Sequence, residues 1–274
     1  MSTSRTKQTG LSLKEVVSCI ESLAPPSGAA EWDNTGLLWA PVQPRRIRRM
    51  LLTIDCTPDV AAEALRRQVD GVLAYHPPLF APLKQLVPHD PLQRRLLQLI
   101  EARVALYSPH TALDAAPDGV NDWLANVVRG DAPATIQPVP DTVARCVVFE
   151  RALDFHSMAR RLQATLKLPY LRWALPRGRL ARVRRVAVCA GAGAAELRAA
   201  AADVWVTGEM KHHDLLDAQA RGVRVILSEH SHAERAYLPI LRQCLRALTG
   251  TRVDWLLARR DRDPVQLVTT EDFS

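Results

Sequence analysis

Short apolar runs alternate with helical segments through most of this chain, and this alternation constrains the fold more than any other feature of the sequence. Met50–Cys56, Gly71–Tyr75 and Val104–Ser108 are compact apolar runs of the kind that forms buried strands. Asp59–Arg67 and Pro91–Ala102, which lie between them, have the starts and stops of helices. Strands that alternate with helices are typical of an α/β fold with a sheet that is at least partly parallel.

The remaining segments extend this pattern. Leu11–Leu23 has apolar residues at helical spacing and is the first predicted helix. Ala132–Asp141 is rich in Pro, Ala and Asp and is the expected boundary between two halves of the chain. The other predicted elements are helices at Val120–Val128, Asp154–Leu166 and Ala233–Ala247, and strands at Ala144–Glu150, Tyr170–Ala174, Arg185–Ala190, Asp203–Thr207, Val223–Ser228, Val253–Leu257 and Val265–Val268.

Charge and cysteine usage limit the class of protein. The net charge of +7 and the pI of about 9.5 favour anionic partners such as nucleotides or other phosphates. The five cysteines are scattered without a C-x-x-C pair, which fits free thiols in a reducing compartment. No run approaches the roughly 18 apolar residues that a membrane span needs. We expect a flexible tail at residues 1–10 and a cytoplasmic location, with a mitochondrial or nuclear fraction as the alternative.

Histidines and carboxylates recur just after the predicted strands, where open α/β sheets place their ligands. His76 follows the strand Gly71–Tyr75 in a loop that two prolines keep rigid. His110 and Asp114 are four residues apart after the next strand, so one helical turn would place them on one face. Both have ordinary alternatives. His76 fits a simple proline turn, and Thr111 and Asp114 approximate a helix capping box.

A third group repeats the four-residue spacing after a later strand, with His230 and Glu234. The alternative is again a capping box, which Ser231 and Glu234 match. His232 would point to another face of the helix. His213, in the segment TGEMKHHD, is a candidate to orient a metal-bound water or to act as a general acid or base. Capping of the following helix is its alternative.

The candidate ligands His76, His110, Asp114, His230 and Glu234 suit a centre for two metal ions. A bridging carboxylate can hold two cations close together, and a water between them would lose a proton near neutral pH. Mixed histidine and carboxylate ligation fits Zn, Mn, Fe or Co and fits a soft thiolate site poorly.

Other motifs indicate less. Gly191 and Gly193 form a partial glycine turn, for which close backbone packing is the main interpretation and phosphate approach the alternative. The chain has neither a P-loop nor an H-E-x-x-H motif. Arginine clusters at Arg45–Arg49, Arg177–Arg185 and Arg259–Arg262 are typical of a solvated face, with anion steering or nucleic-acid binding as alternatives.

Taken together, these segments resemble the NIF3-like family, also called the GTP cyclohydrolase 1 type 2 or NGG1-interacting factor 3 family. The resemblance runs from about Leu11 to the end of the chain, and the forms YHPP, SPHTA, EHS and DRDP look most like the eukaryotic branch. The matching pieces are EWDNTGLL, LLTIDCTPDVAAEAL, YHPPLF, YSPHTALDAAPDGVNDWLA, VTGEMKHHD and SEHSHAER.

The resemblance implies a dinuclear metal centre. In the family's pattern Asp114 and Glu234 bridge the two ions. His76 and His230 are then terminal ligands, and His110 lies nearby, either as a further ligand or as a residue that contacts a ligand.

At one position the chain departs from this pattern. The family has two adjacent histidines in this motif, and here Tyr75 replaces the first of them. Tyrosine is a poor metal ligand unless it ionises, and its ordinary pKa is about 10. We therefore expect the second ion to bind more weakly than the first.

The resemblance also implies a fold and a function. The fold is two interleaved α/β lobes with mixed sheets and the metal site between them, assembled as a homo-oligomer, either a dimer or a hexamer. We expect residues 11–131 to form the first lobe, completed by residues 230–274, and residues 142–229 to form the second. The implied activity is metal-dependent hydrolysis of a nucleotide or related phosphorylated compound, as in GTP cyclohydrolase 1 type 2. The alternative is a non-enzymatic metal-binding protein with a transcription-related partner.

Overall fold

The computed structural model describes residues 10–176 and 182–265, and it contains two mixed β-sheets. The first sheet has the strand order β1-β4-β3-β2-β11. Its four strands β4, β3, β2 and β11 are parallel, and β1 is antiparallel at the edge. Its strands are β1 (Gly36–Trp39), β2 (Arg49–Thr53), β3 (Gly71–Ala74), β4 (Ala105–Ser108) and β11 (Asp254–Leu257).

The second sheet has the order β5-β6-β8-β9-β10-β7. Strands β8, β9 and β10 are parallel, whereas β5, β6 and β7 pair with their neighbours in the antiparallel sense. Its strands are β5 (Ala134–Pro138), β6 (Arg145–Leu153), β7 (Arg172–Ala174), β8 (Val183–Cys189), β9 (Val204–Thr207) and β10 (Arg224–Leu227).

The helices begin where the sequence offers capping groups. Ser12 forms a full capping box with Glu15, and Thr57 caps a helix whose first residue is Pro58. The α-helices of the described residues are α1 (Leu13–Leu23), α2 (Pro58–Arg66), α3 (Pro91–Glu101), α4 (His110–Ala115), α5 (Val120–Arg129), α6 (Phe155–Leu166), α7 (Ala194–Arg198), α8 (His212–Ala220) and α9 (His232–Thr249). No helix in residues 10–176 or 182–265 is long and apolar enough to cross a membrane.

The main hydrophobic core lies between the two sheets. It contains Leu73 of the first sheet and Val206 of the second, together with Leu124 of α5 and Leu241 of α9. Two smaller cores cover the outer faces, one against each sheet. Because both faces of the parallel strands are buried, these strands are continuous apolar runs and do not alternate with polar residues.

The α/β class and the two mixed sheets confirm the predicted fold class. The Pro- and Ala-rich stretch at residues 132–141 contains β5, whose single proline, Pro138, is tolerated because the strand lies at a sheet edge. Strand β11, the last one within the described residues, pairs with β2 of the first sheet. The division into lobes at residues 131, 142 and 230 stays a prediction. Three expectations concern residues that lie largely outside the described ranges. They are the tail at residues 1–10, the strand Val265–Val268 and the first half of the cluster Arg177–Arg185.

Candidate metal centre

His76 lies at the carboxyl end of β3, where it continues the pairing with β2. The Tyr75 N–H donates to the Thr53 carbonyl at 2.9 Å, and the His76 N–H donates to the Ile54 carbonyl at 3.0 Å. The Nδ1 atom of His76 is 3.0 Å from Oδ1 of Asp55, which follows β2. Two neighbouring parallel strands therefore deliver the imidazole and its carboxylate partner to the same edge of the sheet.

His110 begins α4 and is oriented by Asp33. Its Nδ1 atom is 2.7 Å from Oδ1 of Asp33, and the other Asp33 oxygen accepts hydrogen bonds from the backbone N–H and the hydroxyl of Thr111. Burial opposes ionisation of Asp33, but the hydrogen bonds from Thr111 and His110 hold its pKa below the ordinary value. Asp33 is therefore an ionised carboxylate at neutral pH and fixes the His110 ring.

His230 and Glu234 lie on either side of the start of α9, just after β10. Glu234 is only 3% exposed. The Nδ1 atom of His230 is 3.1 Å from Oε1 of Glu209, which follows β9. Gly191, which follows β8, approaches so closely that a Cβ there would lie 3.0 Å from Oε1 of Glu234. The ends of three parallel strands of the second sheet thus meet around this histidine and this carboxylate.

His76, His230 and Glu234 form a compact group. One ligand atom from each of them lies within 4.8 Å of the other two. Nε2 of His76 is 3.4 Å from Oε2 of Glu234, and the centroids of the two imidazole rings are 5.3 Å apart. His76 follows a strand of the first sheet, whereas His230 and Glu234 follow a strand of the second.

The three histidine rings share one arrangement, in which the Nδ1 atom of each faces a carboxylate. The pairs are His76 with Asp55, His110 with Asp33, and His230 with Glu209. A carboxylate in this place favours the proton on Nδ1, so Nε2 is the ring nitrogen that would bind an ion. Histidines that bind metal are held in the same way by hydrogen bonds to the second ring nitrogen.

Oε2 of Glu234 shows that these residues fit a cation. This oxygen is buried and has no hydrogen-bond partner within the described part of the chain. A buried acceptor without a partner is unfavourable, and more so for a charged group. A divalent ion beside it would compensate the charge. Two imidazoles and one carboxylate are a common ligand set that leaves one position open for water or substrate.

Asp114 lies beside this group and is bound by Tyr75. The Tyr75 hydroxyl donates to Oδ1 of Asp114, and Tyr75 is 0% exposed. Burial raises the pKa of Asp114 to about 7, with the hydrogen bond from Tyr75 opposing this shift and the charge of Glu234 adding to it. Burial and the neighbouring charge of Asp114 also raise the pKa of Tyr75 well above its ordinary value, so Tyr75 stays a neutral donor. One oxygen of Asp114 is thus held by a proton donor.

A profile of the family described as Duf34/NIF3 (NGG1p interacting factor 3) matches residues 11–264. The chain belongs to the NIF3 family. It is 31% identical to NIF3-like protein 1 of Rattus norvegicus, with 94% of this chain and 93% of the relative covered. It is 32% identical to NGG1-interacting factor 3 of Saccharomyces cerevisiae, with 92% and 96% covered.

The fold is also that of solved NIF3 structures. The crystal structure of a Bacillus cereus protein related to NIF3 superposes with a TM-score of 0.80 at 20% identity. The superposition covers 94% of this chain and 99% of the other. At this level of identity the likeness concerns the fold alone.

For this NIF3 family member, the capping alternatives are not realised. The Ser231 side chain does not cap α9, and its hydroxyl donates to Asp263 at 2.7 Å. The Thr111 hydroxyl donates to Asp33 and makes no capping bond for α4. Asp114 and Glu234 are therefore free of the capping role, while their assignment as metal ligands stays a prediction.

The predicted site residues are not all brought to one point. The ring of His110 lies 5.4 Å from that of His76, although His110 is outside the three-residue group. His213 is exposed near the start of α8, where its ring lies 5.5 Å from that of His212, and it does not belong to the group either. Its proposed role as an acid or base stays a prediction.

Three carboxylates that hold the histidine rings were not identified from the sequence: Asp33, Asp55 and Glu209. Asp55 and Glu209 follow parallel strands β2 and β9 directly. The rule that located His76 applies equally to them, so the position of these two residues was a usable signal. Asp33 lies before β1 in an irregular segment, and nothing in its local sequence indicates that it reaches His110.

Proposed function

We propose that this protein is a metal-dependent hydrolase that acts on a nucleotide or a related phosphorylated compound, in the manner of GTP cyclohydrolase 1 type 2. The observation that carries the proposal is the group His76, His230 and Glu234 with its unpaired buried carboxylate oxygen. A divalent cation held there would supply Lewis acidity toward a water and a substrate oxygen.

Two ions of unequal affinity would complete the proposed centre. His76, His230 and Glu234 would hold the first ion, and His110 and Asp114 would hold the second. Because Tyr75 stays a neutral phenol and supplies no nitrogen ligand, the second ion would bind more weakly. Zn, Mn, Fe or Co would suit this mixture of nitrogen and oxygen ligands.

The protein's own groups would prepare the site for the reaction. Asp55 and Glu209 hold two of the rings so that their Nε2 atoms face the ion. His213 is the proposed general acid or base.

The substrate is proposed to be anionic because a cavity with three cationic side chains adjoins the group. This cavity of about 640 Å³ is lined by Arg172, Arg198 and Lys211, and also by the carboxylates of Glu209 and Asp214. Glu209 lines the same cavity and contacts His230. Glu229 and Asp214 pair with the two arginines and hold them in place. The Lys211 ammonium and the outer edges of the guanidinium groups would then contact a phosphate.

The test combines metal analysis with a hydrolysis assay. Protein purified without chelator is analysed for metal and is then incubated with a panel of nucleotides. Glu234→Ala and Asp114→Ala should each lower the rate by at least about a hundredfold, because each removes a ligand of the reaction centre. Asp217→Ala serves as the control, since Asp217 pairs only with the exposed Arg221. A protein without metal, or turnover that survives both ligand substitutions, would contradict the proposal.

A second candidate function is a non-enzymatic metal-binding protein with a transcription-related protein partner. The name of the Saccharomyces cerevisiae relative, NGG1-interacting factor 3, favours it. Tight metal binding without turnover of any nucleotide in the panel would support this second function. We also propose a homo-oligomer, either a dimer or a hexamer, and a cytoplasmic location with a mitochondrial or nuclear fraction as the alternative.

A further inference from the structure

Two aromatic side chains are exposed at the edge of the candidate metal centre. Trp32 is 65% exposed and Phe80 is 57% exposed. Their ring centroids are 6.0 Å apart, and both rings lie near-perpendicular to His110, at 6.1 Å for Trp32 and 6.4 Å for Phe80. Large aromatic side chains contribute most to stability when buried, so these two rings do little for the core.

The segments that carry the two rings are the same segments that build the centre. Trp32 immediately precedes Asp33, the carboxylate that holds His110. Phe80 lies four residues after His76 in the loop YHPPLF. The side chain of Asn34 donates to the carbonyl of Leu79 and ties the two segments together. The rings are therefore held in a fixed place relative to the imidazoles, although most of their surface faces solvent.

A cavity begins at Phe80, and Trp32 lies outside its lining. It has a volume of about 590 Å³ and is lined by Asn34 and the segment 79–86, which includes Phe80. Leu83 and Leu86 give the lining apolar surface, and both are exposed. Lys84 supplies the lining with a cation. Cavities of this size, mostly apolar with a few polar groups, are typical of sites for small molecules.

We propose that Trp32 and Phe80 form an aromatic platform beside His110 that binds a planar heteroaromatic ring of the substrate, such as a nucleobase. Because the two rings are inclined to each other by 59°, the bound ring would stack face-on against one of them and meet the other at its edge. Aromatic faces bind flat rings of any base, so such a platform would select for the ring and leave its substituents to other contacts. The inference deepens the proposed function and rests on it, because it identifies which part of a nucleotide this side of the centre binds.

A second copy of the chain is the other possible occupant of this surface. The position of the rings argues for a small molecule, since both rings touch the imidazole of His110. A partner chain seated there would also cover the access to that histidine. If a second copy occupied this surface, substitution of either ring would change the oligomeric state, whereas a small-molecule site predicts no such change.

The experiment is isothermal titration of the metal-loaded full chain with guanosine monophosphate and with ribose 5-phosphate, which lacks the ring. We expect ribose 5-phosphate to bind at least tenfold more weakly. Trp32→Ala and Phe80→Ala should each weaken the binding of guanosine monophosphate by about tenfold and leave that of ribose 5-phosphate unchanged. Trp32→Phe, which keeps an aromatic face, should restore most of the affinity.

Trp173→Ala is the matched control. Trp173 is also an exposed tryptophan, at 48%, but it packs against Phe155 and His156 and not against the centre. This variant should bind both probes as the unmodified protein does. Metal content and sedimentation are measured for every variant, so that a lost ion or a dissociated oligomer is recognised.

Several results would overturn the proposal. These are equal affinity for the two probes, unchanged affinity in both alanine variants, no binding of guanosine monophosphate at all, or a change of oligomeric state that follows the substitution of either ring. The platform proposal and the hydrolase proposal can fail separately. If guanosine monophosphate binding requires the two rings but no turnover is observed, the platform proposal stands and only the hydrolase proposal is wrong.

Discussion

At the scale of single residues, the centre depends on pairs of imidazole and carboxylate that come from separate segments. Asp55 contacts His76 and Glu209 contacts His230, in each case at the Nδ1 atom of the imidazole. The positions of the candidate ligands were predictable because these residues follow strands at a recognisable spacing, while their role as ligands stays a prediction. Asp33 was not predictable, because its partner His110 is 77 residues away and only the folded chain brings them together.

Tyr75 controls the second ion in the proposed centre. In Tyr75→His an imidazole replaces the phenol that now donates to Asp114, and a new nitrogen ligand becomes available. We expect the second ion to bind at least tenfold more tightly in this variant, measured by titration with Zn²⁺. Tyr75→Phe is the control. It removes a hydrogen bond that lowers the pKa of Asp114, so the carboxyl is protonated more readily and the second ion gains nothing. Unchanged metal binding in Tyr75→His would show that Tyr75 is not what weakens the second ion.

Metal binding should release a proton from His76. Burial lowers the pKa of His76, but the hydrogen bond to Asp55 and the neighbouring charges of Glu234 and Asp55 outweigh burial and raise the pKa to about 10 in the metal-free protein. His76 is therefore cationic at pH 7 and must lose its proton before Nε2 can bind an ion. The affinity for the first ion should then increase by up to about tenfold per pH unit as the pH rises toward 10.

Calorimetry of metal binding in buffers with different heats of ionisation measures this release directly. At pH 7 we expect about one proton per first ion bound. An affinity that does not change between pH 6 and pH 8, with no buffer dependence, would mean that His76 is neutral in the metal-free protein or is not a ligand.

At the scale of elements, the parallel strands were predictable, whereas two of the antiparallel edge strands, β1 and β5, were not. The strands β2, β3 and β4 are buried on both faces, and their apolar runs are visible in the sequence. The edge strands β1 and β5 have no such run. Gly36–Trp39 follows turn residues and was not predicted as a strand, and Ala134–Pro138 lies in the expected boundary segment. Edge strands carry less apolar sequence because one side of each meets solvent.

The glycine turn after β8 has a packing role. Gly191 has φ of +64°, and its carbonyl accepts hydrogen bonds from the N–H groups of Gly208 and Glu209. A Cβ at Gly193 would lie 2.5 Å from Cβ of Cys189. Close backbone packing, the main interpretation of this motif, therefore has a structural basis. The turn lies next to the Glu234 side chain.

Gly191→Ala should weaken metal binding as well as the fold. The left-handed backbone disfavours alanine by roughly 1–2 kcal/mol, and the new Cβ would press on Oε1 of Glu234. Gly222→Ala is the matched control, because Gly222 has φ of +77° and nothing within 4 Å of the added Cβ. Thermal unfolding should show a similar loss of stability in both variants, whereas metal titration should show a loss in Gly191→Ala alone. Equal metal affinity in the two variants would remove the steric link between this turn and Glu234.

At the scale of the whole molecule, one buried side chain ties the candidate centre to both sheets. The Asn121 amide donates to the carbonyls of Asp114 and Val143, and its oxygen accepts from the N–H of Ala190 at 2.8 Å. Asn121 is completely buried. The backbone around Asp114 is thus fixed to the end of β8, and the two halves of the centre keep their relative position.

The basic character of the molecule is partly compensated within the fold. Arg45 pairs with Asp70, and Arg235 pairs with Asp261 beside the last arginine cluster. The sequence predicted the cluster Arg45–Arg49 but could not show that Asp70 pairs with Arg45, because the two residues are 25 positions apart.

The central claim is that the carboxyl ends of two sheets meet to hold a metal ion between His76, His230 and Glu234. Anomalous diffraction from crystals of the full chain grown with Zn²⁺ tests it most directly. We predict a strong peak at about 2.0–2.2 Å from Nε2 of both histidines and from a carboxylate oxygen of Glu234. A weaker peak near His110 and Asp114 would mark the second ion. The absence of a peak among the three residues, or a peak only at the exposed His212 and His213, would contradict the claim.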